Sequence, residues 1–155
     1  MIIARNLCFN LILSMFLLVV SMYAESAEST ESTESTEFVV VVNKNNTINA
    51  LSKREVIDIY MGRYSTFPDG EISKPLDLPA KSAFKNDFYL KLVNKDEQQI
   101  NAYWARLLFS GRGKPPTPSA SLEDALKTIA SSQYAIGYIP LSHVTDTVKV
   151  VYTFD

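Results

Sequence analysis

Residues Phe38–Val42 read FVVVV, a run in which no polar residue interrupts the apolar ones. A strand with one wet face alternates apolar and polar side chains. An unalternated run needs cover on both faces, as at the centre of an α/β sheet. The remainder of the chain must therefore supply helices for two sides.

Those helices are legible in order. Asn45-Asn46 marks a turn, and INALSKREVIDIYMGR follows it. Ser52 and Glu55 form an S-x-x-E capping box, and Leu51 and Val56 stand where a hydrophobic staple places them. Ile57, Tyr60 and Met61 add apolar surface, and Gly62 closes a helix predicted over 53–61. Tyr64–Lys74 holds Pro68-Asp69-Gly70 and predicts an exposed loop. Pro75–Leu78 predicts a short strand that ends at Pro79. Ser82 then caps a helix with Phe84, Phe88 and Leu92 at i, i+4 and i+8.

From Gln98 to Gly111, Ile100, Tyr103, Trp104, Leu107 and Leu108 recur at i, i+3, i+4, i+7 and i+8. This is an amphipathic helix, and Gly111 is its natural stop. It carries the only Trp in the chain, and the other elements are expected to pack around it. Lys114–Ser121 contains three prolines and predicts a rigid loop. Ser121 and Asp124 open another helix with Leu122, Leu126, Ile129 and Ala130 turned inward. Tyr134–Ile139 predicts a second buried strand, in which Gly137 marks a close approach of backbone or ligand. Val148–Phe154 is the last strand. Strands alternating with helices of about ten residues make an open α/β sheet.

The sequence before Phe38 has a different character. Arg5 forms a positive start, Leu7–Val20 is apolar except for Asn10 and Ser14, and small residues follow at Ala24, Ser26 and Ala27. This layout predicts a secretory signal peptide over residues 1–24. An uncleaved anchor is the alternative, although Asn10 and Ser14 shorten the apolar span. Glu25–Glu37, ESAESTESTESTE, buries too little apolar surface to offset its chain entropy and predicts a disordered acidic spacer. Cys8 lies at the head of the apolar run, so cleavage removes the only cysteine, and with it any disulfide, thiol nucleophile or cysteine metal site.

The spacer takes five of the 17 acidic residues, and the leader takes Arg5. Residues 38–155 keep twelve acids against fourteen bases, a formal +2. No basic stripe appears, which argues against nucleic-acid binding. The length suits one compact domain. His143 is the only histidine and cannot build a His-rich metal site alone. G-x-S-x-G, H-E-x-x-H and Gly-rich phosphate loops are missing, so the sequence argues against an enzyme. The most suggestive group is Lys81-Ser82-Ala83-Phe84. A helix start offers unpaired N–H groups and partial positive charge to an anion, Ser82 adds a hydroxyl and Lys81 a charge. The same residues also read as an ordinary N-cap beside a solvated lysine.

INALSKREVIDIYMGR resembles a segment of phosphate-type ABC-transporter solute-binding proteins, in which a Leu-Ser-led helix ends in Ile-Phe-x-Gly before a basic residue. SQYAIGYIP is similar to their Gly-Ala-Ile-Gly-Tyr-Val strand. The spacing from Ser82 to Phe88 matches their Ser-Gly-Thr helix start and following Phe. The resemblance covers most of Phe38–Tyr138. It implies an α/β fold, a single lobe of the type 2 periplasmic-binding-protein kind, with a mixed sheet flanked by helices. The family closes two lobes over its ligand. The resemblance further implies an exported, periplasmic or secreted, solute-binding-protein-like module without a cofactor. Phosphate or another small anion would sit at Lys81, Ser82, Ala83 and Phe84. At the family's binding positions this chain has Leu78, Ala80, Ala83 and Phe84, and Ser82 is the one residue that matches. A lobe without its counterpart also leaves surface for an envelope protein partner or a second copy. Tyr64, Phe67 and Arg112, in loops Tyr64–Phe67 and Phe109–Thr117, are the candidate anchors.

Overall fold

The computed structural model describes residues 37–154. The segments expected as signal peptide and, but for Glu37, as acidic spacer lie outside these residues. Among these residues five strands and four α-helices follow one another in chain order. They are β1 (Phe38–Asn43), α1 (Lys53–Tyr60), β2 (Lys74–Asp77), α2 (Ala83–Val93), α3 (Glu97–Phe109), β3 (Thr117–Pro118), α4 (Leu122–Ser131), β4 (Ala135–Pro140) and β5 (Val148–Thr153). The sheet order is β3-β2-β4-β1-β5. β2 runs parallel to β3 and β4, whereas β1 is antiparallel to both β4 and β5. This is a mixed sheet flanked by helices, as the sequence implied.

β1 is fully buried, and its alternate residues enter two cores. Phe38, Val40 and Val42 join Tyr60, Phe88, Trp104 and Tyr138 in the larger core. Val39 and Val41 join Leu76, Ile129 and Ile139 in the smaller one. The unbroken apolar run is thus explained by cover on each side. Phe88 is the centre of the larger core: it stacks on Tyr138 with ring centroids 3.6 Å apart and meets Tyr60 edge-on at 4.9 Å.

The local signals placed the helix starts. Ser52 makes the full capping box with Glu55, and Ser82 and Ser121 each accept an N–H from the third residue of their helices. Gly137 makes room for α4. A Cβ there would lie 2.5 Å from Ile129 Cδ1, so the close approach is that of a packed side chain, not of a ligand.

Three expectations are corrected. α3 is not the centre of the fold. Only Ile100 and Trp104 are buried on it, and Leu108 is 53 % exposed. The helix packs against α2 and, through Tyr103 and Trp104, the end of α1, rather than along the sheet, so a narrower stripe suffices. The loop after α1 is not wholly exposed. Phe67 is 2 % exposed, held by a one-pair bridge between Thr66 and Ile72, and it cannot anchor a partner. The proline-rich loop contains β3, whose two residues add an edge to β2. The inward face of α4 is as expected: Ile129 is fully buried, Leu122 and Leu126 pack against the cores and Ala130 is half-buried, with Ala125 buried beside them.

Candidate functional site

β2, β3 and β4 point the same way, so their carboxyl ends share one edge of the sheet. In open α/β sheets ligands bind outside that edge. Here β2 leads into the start of α2 and β3 into the start of α4. Two helix N-termini therefore lie on the edge.

Ser82 is the N-cap of α2, and its Oγ accepts the Lys85 N–H at 3.2 Å. Ala83 is exposed and is the first helical residue. Its amide and that of Phe84 have no helical carbonyl one turn back. The Phe84 ring packs edge-on against Phe38 at 5.8 Å, which leaves only its backbone for a ligand. Lys81 takes the left-handed conformation, φ 63°, at a cost of about 1 kcal/mol for a residue with a Cβ. Its amide donates to both oxygens of the Glu97 carboxylate, at 2.9 and 3.1 Å. The structure thus brings all four candidate residues to one turn and sets an acid beside them.

Beneath this turn lies a buried ionic network. Lys85 Nζ is 2.9 Å from Asp77 Oδ2 and 3.7 Å from Glu97 Oε1, and the Lys85 and Asp77 side chains are 11 % and 7 % exposed. Tyr138 donates its hydroxyl to Asp77 Oδ1 at 2.5 Å and accepts the Leu78 N–H at 3.1 Å. Tyr89 reaches Asp77 Oδ2 at 3.4 Å. Burial first, and then the Asp77 charge, push the Tyr60, Tyr89 and Tyr138 phenols well above their usual range, so all three stay protonated and act as donors. Tyr60 spends its proton on the backbone, 3.3 Å from the carbonyls of Leu76 and Ile136.

Glu97, Asp77 and Lys85 were missed as a group. Lys85 carried a signal, because it falls on one stripe with Phe88, Tyr89 and Leu92, at i, i+3, i+4 and i+7. Its charge masked that spacing. His143 sits exposed after β4, with Nδ1 3.1 Å from Ser142 Oγ. Among the described residues, no three potential metal-ligating side chains gather.

No protein-family model and no curated relative matches the chain. Solved structures do. A Clostridium perfringens protein assigned as a phosphate ABC transporter substrate-binding protein, with bound phosphate, has TM-score 0.59 at 18 % identity over 74 % of this chain and 44 % of its own. An ABC-type phosphate transport receptor from Vibrio cholerae has TM-score 0.59 at 15 % identity, over 74 % and 45 %. This chain therefore has the fold of part of a phosphate-type solute-binding protein, and it spans less than half the length of these structures.

Proposed function

We propose that this chain is an exported solute-binding-protein-like module, periplasmic or secreted, and not an enzyme. It takes a small oxyanion such as phosphate, weakly, at Lys81–Phe84. One observation carries the reading: the chain shares the fold of phosphate receptors, and its α2 begins at the carboxyl edge with Ser82 as cap. The amides of Ala83 and Phe84, the Ser82 hydroxyl and the Lys81 ammonium are the donors. Leu78 and Ala80, at two of the family's binding positions, offer no charged side chain, and charge-assisted hydrogen bonds are worth about 1.5–3 kcal/mol each. Weak binding follows.

Glu97 sets the level. Its carboxylate already uses the Lys81 amide and repels an incoming anion. Calorimetry with phosphate and sulfate at low salt tests this. The parent binds in the millimolar range, Glu97→Gln tightens binding several-fold, and Ser82→Ala weakens it. Heat from neither the parent nor Glu97→Gln at millimolar phosphate removes the binding role and leaves the fold.

A second reading, an envelope interaction module, draws on the exposed neighbours Leu108 and Phe109, the latter 94 % exposed. Light scattering at high concentration tests it for a second copy. A strict monomer speaks against self-association. Export rests on residues 1–24, and N-terminal sequencing of the secreted product checks it.

A further inference from the structure

The opposite edge of the sheet carries a second site with different chemistry. A cleft of about 470 Å³ opens between the end of α1, the start of β2 and the segment before β3. That size lies within the range of small-molecule sites, about 300–1,000 Å³. Arg63, Lys74, Arg112 and Lys114 line it, and no carboxylate does. Two of these cations have company. Arg63 Nη1 is 2.8 Å from Asp58 Oδ1, and Lys74 Nζ lies 5.6 Å from the Tyr134 ring centre. Arg112 and Lys114 enter no ion pair among the described residues.

Ser73 lines the same cleft. It is 6 % exposed, and its hydroxyl is buried without a hydrogen-bond partner. An orphaned buried hydroxyl is costly and calls for an explanation. Beside it, four like charges converge on one concave surface. They come from three segments: Arg63 follows α1, Lys74 opens β2, and Arg112 and Lys114 precede β3. Trp104 lies against both Gly62 and Gly113 and holds the first and last of these together, but no acidic residue lines the cleft to balance them. A multiply charged anion would explain both features. It would neutralise the cations and accept the Ser73 proton.

We propose that this cleft binds a compact polyanion bearing two or more phosphoryl groups, with Arg112 and Lys114 as principal ligands, Ser73 as hydroxyl donor and Arg63 and Lys74 at the margin. Two cations free of acidic partners and a space larger than one tetrahedral oxyanion favour oligophosphate over orthophosphate. Free oligophosphate and phosphate esters share this chemistry. The site is distinct from Lys81–Phe84, which lies beyond the far end of β2.

The test is calorimetry of the whole chain with inorganic tripolyphosphate, orthophosphate and inositol hexakisphosphate at low and moderate salt. Tripolyphosphate is expected to bind at least tenfold tighter than orthophosphate, with affinity falling as salt rises. Arg112→Gln/Lys114→Gln weakens it at least tenfold, and Ser73→Ala weakens it severalfold. Ser82→Ala leaves tripolyphosphate binding unchanged while weakening orthophosphate, which separates this site from the other. Binding of the hexakisphosphate as well as tripolyphosphate supports esters as a source, and binding of tripolyphosphate alone supports the free chain. The substituted Arg and Lys side chains are exposed, so a circular-dichroism melt is expected to match the parent. No heat with tripolyphosphate, or equal affinity in the Arg112→Gln/Lys114→Gln chain, overturns the assignment.

Discussion

Lys85→Met probes the buried network at the carboxyl edge. Methionine keeps most of the aliphatic stem and removes the ammonium that sits 2.9 Å from Asp77. Asp77 keeps the hydroxyls of Tyr138 and Tyr89 at 2.5 and 3.4 Å. It loses the one cation paired with it among the described residues. Removing one partner of a buried ion pair costs about 3–5 kcal/mol, because the remaining charge is left uncompensated. The surviving phenol donors place this case at about 3 kcal/mol, the low end of that range. For a domain of this size that lowers Tm by roughly 10–15 °C. Asp77→Asn/Lys85→Met removes both charges and is expected to recover most of the loss, since neutral replacements of a buried pair are often nearly neutral in stability. Thermal melts and urea titrations of the parent, the single and the double variant measure all three. A single variant that melts within a few degrees of the parent refutes the argument. So does a double variant no more stable than the single one, because the deficit would then not be one of charge.

Three further predictions follow from the packing and the phenols. Gly137→Ala places a Cβ 2.5 Å from Ile129 Cδ1 and is expected to cost about 1–3 kcal/mol by overpacking. Adding Ile129→Val removes that methyl, so the pair loses less than the sum of the two single changes in urea unfolding; strict additivity would place the conflict elsewhere. The Tyr60, Tyr89 and Tyr138 phenols are raised by burial, so their folded pKa values exceed the unfolded value near 10. Their contribution is complete below that pH and is lost as pH rises past it, at roughly 4 kcal/mol per unit for three groups. Phenolate absorbance for these residues is expected to rise in one step with loss of circular dichroism; ionisation in a folded chain contradicts the burial. Gly62 has φ 67°, and a Cβ on it would lie 2.7 Å from the Trp104 ring. Gly62→Ala is therefore expected to lower Tm and to perturb Trp fluorescence, whereas an unchanged spectrum would move Trp104 away from α1.

Much of this fold is written locally. The caps at Ser52, Ser82 and Ser121 act within three residues, and the burial of β1 follows from composition alone. What stayed hidden depends on contacts between distant segments. β3 is two residues long and includes Pro118, so neither periodicity nor β-propensity announces it. Phe67 is buried because a loop folds back onto α1. Leu108 lies outside because α3 packs on α2 and the end of α1 rather than along the sheet, a fact of assembly. Lys85 shares the spacing of the apolar stripe, but a charged residue is read as solvent-facing until its acid is located 8 residues upstream at Asp77. Glu97 reaches Lys81 from the next helix. The candidate site was therefore legible as a helix start and illegible as an electrostatic environment.

The central claim is the proposed binding of a small oxyanion at the start of α2. Amide chemical shifts of the 15N-labelled Glu97→Gln chain, followed during phosphate addition, test it most directly. The account predicts saturable shifts at Ala83 and Phe84, with Ser82→Ala in the same background reducing them. Unmoved Ala83 and Phe84 amides at tens of millimolar phosphate would contradict it.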